Sequence, residues 1–527
     1  VDIITELRAL HHIRSSGMLR LDPPAKAFRV ARAIRRLGNI GGAVAVAAIK
    51  YPDRLGLVDE YGALSFEELN RRSDALACAL RARGTDEGHG VGILCRNHRY
   101  FLDATFAAGK LGARTLYLNT DFGGPQLRDV CEREGVSVLV HDEEFEQLAA
   151  PIDATRLTEA DLQSLIDSHD GAVPAPPQEP ATMVLLTSGT TGTPKGAPRQ
   201  EGRTLAPLGA LLSKVPYRTC QSTYVAAPMF HGLGYTQTVL AVMLGSTTIC
   251  QRRFKPERVL EAIAEHRPTA LVVVPVMLSR IVSLIEAEPD RYDTSSLRIV
   301  FCSGAQLEAE LVRRARRVLG EVLYNFYGST EVAYATFATP EDLRDAPGTA
   351  GRVPLGAVVR LYDFDGRPVE GAGNPGRIFV GNSFQFDGYT GGGTKEVIDG
   401  LMSTGDVGHF DEAGRLFIDG RDDDMIVSGG ENLFPGEVEE LLITHVGIEE
   451  AAVIGVDDQE FGKRLAAYVV LRPGASLSED GVREFVREHL ARFKVPRDVF
   501  FLDELPRNPS GKVLKRQLRE THAAEHA

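Results

Sequence analysis

The chain has 527 residues, 43% of them hydrophobic and 25% charged, with a formal net charge of −13. This is globular composition, and it argues against general disorder and against a nucleic-acid binder. The six cysteines at 78, 95, 131, 220, 250 and 302 form no C-x-x-C or zinc-ligand spacing, which disfavours a disulfide scaffold or a cysteine-based metal site and fits a reducing cytoplasm.

Residues 1–50 read as a basic N-terminal arm. Between 8 and 50 there are nine Lys/Arg (8, 14, 20, 26, 29, 32, 35, 36, 50) against one acid, Asp22. Within it, 25–37 sets Phe28, Val30, Ala31, Ile34 and Leu37 beside Arg29, Arg32, Arg35 and Arg36. Such a helix either lies on an anionic membrane or packs its apolar stripe on the body with the arginines solvated. Packing is the expectation taken here. The apolar run 40–49 is too short to span a bilayer, and no secretory signal is visible.

From about 55 the pattern alternates strand and helix. Ser65-Phe-Glu-Glu68 is a capping box before apolar residues at helical spacing. Strands are expected at 91–95, 115–118, 136–140 and 183–187, with helices at 100–111 and 125–135 between the first three. Further strands are expected at 223–227, 247–250, 270–274 and 297–302. The alternation implies an α/β fold with parallel sheets covered on both faces. Shorter segments near 350–420 read as a small β-rich unit, and a separate α/β unit follows the acidic run Asp422-Asp-Asp424.

One loop dominates the chemistry: Leu186-Thr-Ser-Gly-Thr-Thr-Gly-Thr-Pro-Lys-Gly196. Glycines let backbone N–H groups approach phosphate oxygens, hydroxyls add donors and Lys195 adds charge. The spacing is not that of a Walker motif. The other motifs, in chain order, are Met229-Phe-His-Gly-Leu-Gly234, Ser303-Gly304-Ala305, Asn325-Phe-Tyr-Gly-Ser-Thr-Glu331, Ser403-Thr-Gly-Asp406, Gly420-Arg421, Val427-Ser-Gly-Gly-Glu431 and Pro506-Arg-Asn-Pro-Ser-Gly-Lys512.

Together, over about 50–520, these motifs resemble the adenylate-forming superfamily of acyl-CoA synthetases, aryl-CoA ligases, luciferases and adenylation domains. The resemblance implies a large N-terminal domain of parallel-sheet α/β subdomains with a small β-rich subdomain (51–420). A hinge at 421–424, pivoting on Asp423, and a small mobile α/β C-terminal domain (425–527) would follow.

It also implies ATP, Mg²⁺ and CoA, and a role for each motif. Thr187, Ser188, Gly189, Thr190, Thr191, Gly192, Thr193 and Lys195 hold phosphates. Gly304 and Ala305 line the adenine edge, and Tyr327, followed by Gly328, stacks on adenine. Thr330 contacts the α-phosphate and Glu331 holds the metal. Asp406 and Arg421 bind ribose, Lys512 serves adenylation, and Gly429 and Gly430 serve thioester formation. His231 lines the acid pocket, at a position where amino-acid-activating domains carry Asp.

The finer resemblance is to actinobacterial fatty-acid–CoA ligases, with a fatty acyl-AMP ligase or an aryl-CoA ligase as alternatives. A non-catalytic, membrane-associated acyl- or nucleotide-binding protein is the alternative of another class. The partners expected are a carboxylic acid and CoA, with no nucleic acid. Peripheral membrane contact through 1–50 and a homodimer complete the expectations.

Overall fold

The computed structural model describes residues 2–20, 22–186, 195–199, 204–386, 388–422, 426–428, 431–433, 435–458, 462–491, 494–508 and 511–526. Two largely parallel sheets form the large part of the molecule. In one, Ala270–Val273 lies between Ile299–Cys302 and Ser222–Val225, continuing through Thr247–Ile249 to Leu55–Asp59 on one side and through Leu323–Tyr327 on the other. In the other, Gly90–Leu94 lies between Val136–His141 and Arg114–Tyr117, with Thr182–Leu186 beyond. Only outer strands run antiparallel: Gly62–Ser65 and Thr336–Ala338 in the first sheet, Gly196–Arg199 in the second. The central strands are buried along their whole length, as strands with helices on both faces must be.

A smaller antiparallel sheet follows, built from Ala357–Tyr362, Gly376–Asn382, Val397–Ile398, Leu401–Phe410 and Leu416–Arg421. The C-terminal unit has Ile448–Asp458, Gly462–Leu471 and Asp498–Phe501 packed with helices Pro435–Ile443, Glu479–His489 and Lys515–His526. The expected α/β layout is therefore present.

The N-terminal arm is helical: α1 (Ile3–Ser16), then α2 (Pro24–Lys50), broken at Gly38 with φ 65° and ψ −163°. The break folds α2 back on itself. Lys26 Nζ donates to the carbonyl of Lys50 at 2.9 Å, and a Cβ at Gly42 would lie 3.5 Å from Ile34 Cα. The inner half, 39–50, buries Ile40, Ala43, Val44 and Ala47 against α3 (Phe66–Ala82) and α4 (Arg99–Leu111).

The expected stripe divides. Val30 and Leu37 turn inward and are half-buried, whereas Ala31 is exposed, and Phe28 is 69% and Ile34 48% exposed. The packing expectation fails for these three, because the inner half-helix already covers the body. No helix of the described residues is long and apolar enough to cross a membrane.

Two local features decide how the arm seats. The capping box at the start of α3 forms as expected: Glu68 N–H donates to Ser65 Oγ and Ser65 N–H to Glu68 Oε2. Gly41 and Gly109 bring α2 and α4 into backbone contact, since a Cβ at Gly109 would lie 2.6 Å from Gly41 N and 2.9 Å from Ile40 Cγ2. Gly109→Val should force the helices apart and cost about 1–3 kcal/mol. Thermal unfolding should show a lower midpoint, and an unchanged one would mean that the contact is looser than described.

Candidate active site

The site assembles where parallel strands end, the usual ligand position in open α/β sheets. Gly304 and Ala305 follow Ile299–Cys302, and Tyr327 ends the neighbouring strand, with Ser303 Oγ donating to the carbonyl of Phe326 at 2.7 Å. The small sheet contributes Asp406 and Arg421 as directly opposed cross-strand residues.

Asp406 is the junction. Tyr327 Oη donates to its Oδ2 at 2.6 Å, and Arg421 Nη1 donates to its Oδ1 at 3.1 Å. Burial raises the Asp406 pKa, opposed by the charge of Arg421, the Tyr327 hydroxyl and the charge of Lys512. Lys512 belongs to the C-terminal unit, so the chain brings a residue 106 positions away into electrostatic range of Asp406.

The loop carrying Lys512 is fixed on both sides. Lys512 N–H donates to Asn508 Oδ1 at 2.8 Å, and Asn508 N–H donates to the Lys512 carbonyl at 2.9 Å. A Cβ at Gly511, where φ is 79°, would lie 2.5 Å from Val276 Cγ1 and 3.2 Å from Val274 Cγ2. The lysine loop thus abuts the apolar side chains of Val274 and Val276.

Glu331 accepts from Ser329 Oγ at 2.9 Å and from Tyr389 Oη at 2.7 Å, one bond on each carboxylate oxygen. Lys195 Nζ stands 5.0 Å from the centroid of the Tyr389 ring. The next residue is tied to the end of the glycine-rich segment 186–196: Thr390 N–H donates to the Gly196 carbonyl, and Thr390 Oγ1 donates to Glu134 Oε1. Pairing of Leu186 with Gly196 closes the base of that loop. Glu331 offers hard carboxylate oxygens held by hydroxyl groups, a donor type that fits Mg²⁺. Asp406 offers acceptors, and Arg421 donors, of the type a ribose needs. Gly328 has no room for a side chain, since a Cβ would lie 2.1 Å from the Ala333 carbonyl oxygen.

His231 stands at the N-cap position of helix Gly232–Met243 without a side-chain capping bond, and its ring lies 4.9 Å from that of Phe230. Its Nε2 is shielded from solvent and has no partner among the described residues. Burial pushes its pKa down to about 4, so the ring is neutral near pH 7. The segment is pinned from the other sheet by Asn97, whose amide donates to the carbonyls of Val225 and Ala227 and accepts from Met229 N–H at 2.7 Å.

The structure therefore brings Tyr327, Asp406, Arg421 and Lys512 together, and gathers Glu331 with Lys195 around Tyr389. Thr330 lies half-buried beside Glu331. Thr187, Ser188, Gly189, Thr190, Thr191, Gly192 and Thr193, the pivot Asp423, and Gly429 and Gly430 lie outside the described residues. Sequence reasoning missed Asn97, Glu134, Ser329, Tyr389 and Thr390. The one signal available was an aromatic residue set among glycines at 388–393.

The two parts of the chain meet over acidic groups. Gln306 Nε2 donates to Glu440 Oε1 at 2.7 Å. Beside this contact, burial and the charges of Glu439, Glu440 and Glu450, opposed by Arg507, push the pKa of Glu308 up to about 8. Burial raises Glu440 as well.

An acid whose pKa is raised by this contact holds its proton better in contact than apart. The contact is therefore unpenalised below about 4.5 and weakens as pH rises towards about 8. Fluorescence transfer between dyes on the two parts should report loosening across that window, and Glu308→Gln should flatten it. An identical pH profile in the variant would exclude Glu308 as the cause.

Comparison with known proteins agrees with the geometry. Residues 44–390 match the AMP-binding enzyme family and 437–512 the AMP-binding enzyme C-terminal domain. A feruloyl-CoA synthase of Amycolatopsis sp is 36% identical over 471 residues, 87% of this chain and 94% of that protein. An indoleacetate–CoA ligase of Aromatoleum aromaticum is 33% identical over 498 residues, 90% and 94% of the respective chains. Among solved structures, o-succinylbenzoate CoA synthetase from Bacillus subtilis, in complex with its acyl-adenylate intermediate, superposes with a TM-score of 0.80 at 29% identity, covering 90% of this chain and 97% of that one. The chain belongs to the AMP-binding enzyme family, the adenylate-forming superfamily, as an acyl- or aryl-CoA ligase that works with ATP, Mg²⁺ and CoA.

Proposed function

We propose that this ligase takes a hydrophobic monocarboxylic acid, a fatty acid in the first reading. The carboxylate attacks the α-phosphorus of ATP, giving acyl-adenylate and pyrophosphate. The CoA thiol then attacks the acyl carbon, giving acyl-CoA and AMP. The observation that carries the two-step reading is that the C-terminal unit brings Lys512 into electrostatic range of Asp406 and seats the neighbouring Gly511 against Val274 and Val276.

In this reading the Lys512 ammonium sits between substrate carboxylate and α-phosphate, offsetting the repulsion of two anions and stabilising charge that grows in transfer. Asp406 accepts from the ribose hydroxyls and Arg421 donates to one. The Tyr327 ring, its hydroxyl anchored on Asp406, offers a flat face to adenine, with Gly304 and Ala305 along the adenine edge. Thr330 donates to the α-phosphate. Residues 187–193 and Lys195 cradle the remaining phosphates, and Glu331, oriented by Ser329 and Tyr389, holds the metal. Mg²⁺ supplies charge neutralisation on the phosphates.

After adenylation the C-terminal unit (425–527) turns about Asp423, in the hinge 421–424, and exchanges Lys512 for the loop of Gly429 and Gly430 beside the CoA thiol.

Two features support an acid that is apolar beyond its carboxylate and carries no α-ammonium group. His231 is neutral and offers no anion to an α-ammonium group, and Val272, Val273, Val274 and Met277 are buried hydrophobics. An aryl acid is the second reading, favoured by the relatives named for feruloyl and indoleacetate substrates. We assign the protein to the cytoplasm, in line with free cysteines at all six positions. Residues 1–50 are taken as the part that meets the inner membrane surface, and a homodimer is compatible with this reading.

ATP–pyrophosphate exchange across acetate, long-chain fatty acids, benzoates, cinnamates and amino acids, with mass spectrometry of products when CoA is added, tests the assignment. Exchange should be greatest with long-chain acids. A preference for cinnamates selects the second reading, and exchange without thioester points to a carrier-protein acceptor. Lys512→Ala should lower acyl-adenylate formation by at least about 100-fold, about 2.7 kcal/mol, while thioester formation from supplied acyl-adenylate stays within a few-fold. Equal loss of both steps would contradict the division of labour.

A further inference from the structure

We propose that the outer half of α2, residues 24–37, is an interfacial helix that docks on an anionic lipid bilayer. The inference builds on the peripheral reading of residues 1–50 and is independent of which acid the enzyme activates. It narrows the arm to one helix face and one lipid class.

The half-helix forms the outer layer of the hairpin made at Gly38. None of residues 24–37 is buried. Its inward side, Lys26, Val30, Ala33 and Leu37, is half-buried over the inner half-helix. The inner half is itself keyed to the body through Gly41 and Gly109. The outer half is thus a helix of about 20 Å laid on a fixed support, and Phe28, Arg29, Arg32, Arg35 and Arg36 on its outer side are exposed.

That face has the composition of a membrane-surface helix. Phe28 stands opposite the half-buried side, and at about 100° per residue Arg32 and Arg35 fall within about 40° of it. Arg29 and Arg36 lie about 100° and 80° round from Phe28 on one flank, and Ile34 about 120° round on the other. These four arginines are exposed, and among the described residues none forms an ion pair or hydrogen bond. Elsewhere many arginines are paired, among them Arg72 with Asp103 and Arg99 with Asp59.

The chain as a whole is acidic at −13, so this basic helix is a local exception that the acidic body does not fold over. Unpaired guanidinium groups attract lipid phosphates, and the exposed Phe28 and Ile34 supply apolar surface that only a hydrocarbon boundary rewards. A polyanion without hydrocarbon, such as a nucleic acid, would use the arginines and leave Phe28 in water. On α1 a second exposed stripe, Ile3, Leu7 and Leu10, belongs to the same arm.

The test is co-sedimentation of the full chain with phosphatidylcholine vesicles, with and without phosphatidylglycerol, alongside R29Q/R32Q/R35Q/R36Q and F28S/I34S. Wild type should sediment with the anionic vesicles only, and added salt should release it. Each variant should partition at least about tenfold less, since each basic residue near such a surface is worth roughly fivefold. Both should keep the wild-type melting point and ATP–pyrophosphate exchange with a water-soluble acid, which separates loss of docking from misfolding. Three results would overturn the proposal: wild type that stays in the supernatant, loss in the arginine variant alone, which points to a polyanion, or a dimer in sedimentation velocity that F28S/I34S breaks without any vesicle binding.

Discussion

Asp406 is a half-buried carboxylate held by partners from three parts of the chain. A tyrosine at the end of a parallel strand donates to it, an arginine directly across the antiparallel sheet donates to it, and a lysine from the C-terminal unit lies within electrostatic range. Burying a carboxylate is costly unless such groups compensate it. Tyr327 and Arg421, both outside the C-terminal unit, hold this anion directly, and the charge of Lys512 adds to its stabilisation while that unit is docked.

The domain contact adds a tension of the opposite sign. Gln306 binds Glu440, yet the surrounding surface gathers Glu308, Glu439 and Glu450 with Arg507 opposing them. An interface that crowds carboxylates holds its partner loosely near neutral pH, because a proton lost from Glu308 adds repulsion. That suits a protein whose proposed chemistry needs the C-terminal unit to leave. A fully apolar interface would favour one orientation too strongly to be exchanged within a catalytic cycle.

Much of this was legible in sequence wherever the determinant is local. The capping box at Ser65 and Glu68 needs residues three apart, and it forms as read. Buried parallel strands announce themselves as short apolar runs, and their observed bounds fall close to the expected ones. What stayed hidden depends on distant pairings. Tyr389 meets Glu331 across 58 positions, Thr390 meets Glu134 across 256, Gln306 meets Glu440 across 134 and Asn97 meets Ala227 across 130. No periodicity encodes such contacts. The arm was half-legible: its amphipathic stripe was plain, but which side faces outward follows from the reversal at Gly38, and a glycine in a helical run does not declare that it turns the chain.

The central claim is that the orientation holding Lys512 beside Asp406 serves adenylation alone and must be left before CoA can react. Cysteines introduced at 306 and 440, joined by a reducible bifunctional linker, would hold that orientation. Linked protein given ATP, acid and CoA should form one equivalent of acyl-adenylate and pyrophosphate, with no thioester until the linker is reduced. Steady thioester production at the unlinked rate, with the bridge intact, would contradict the account.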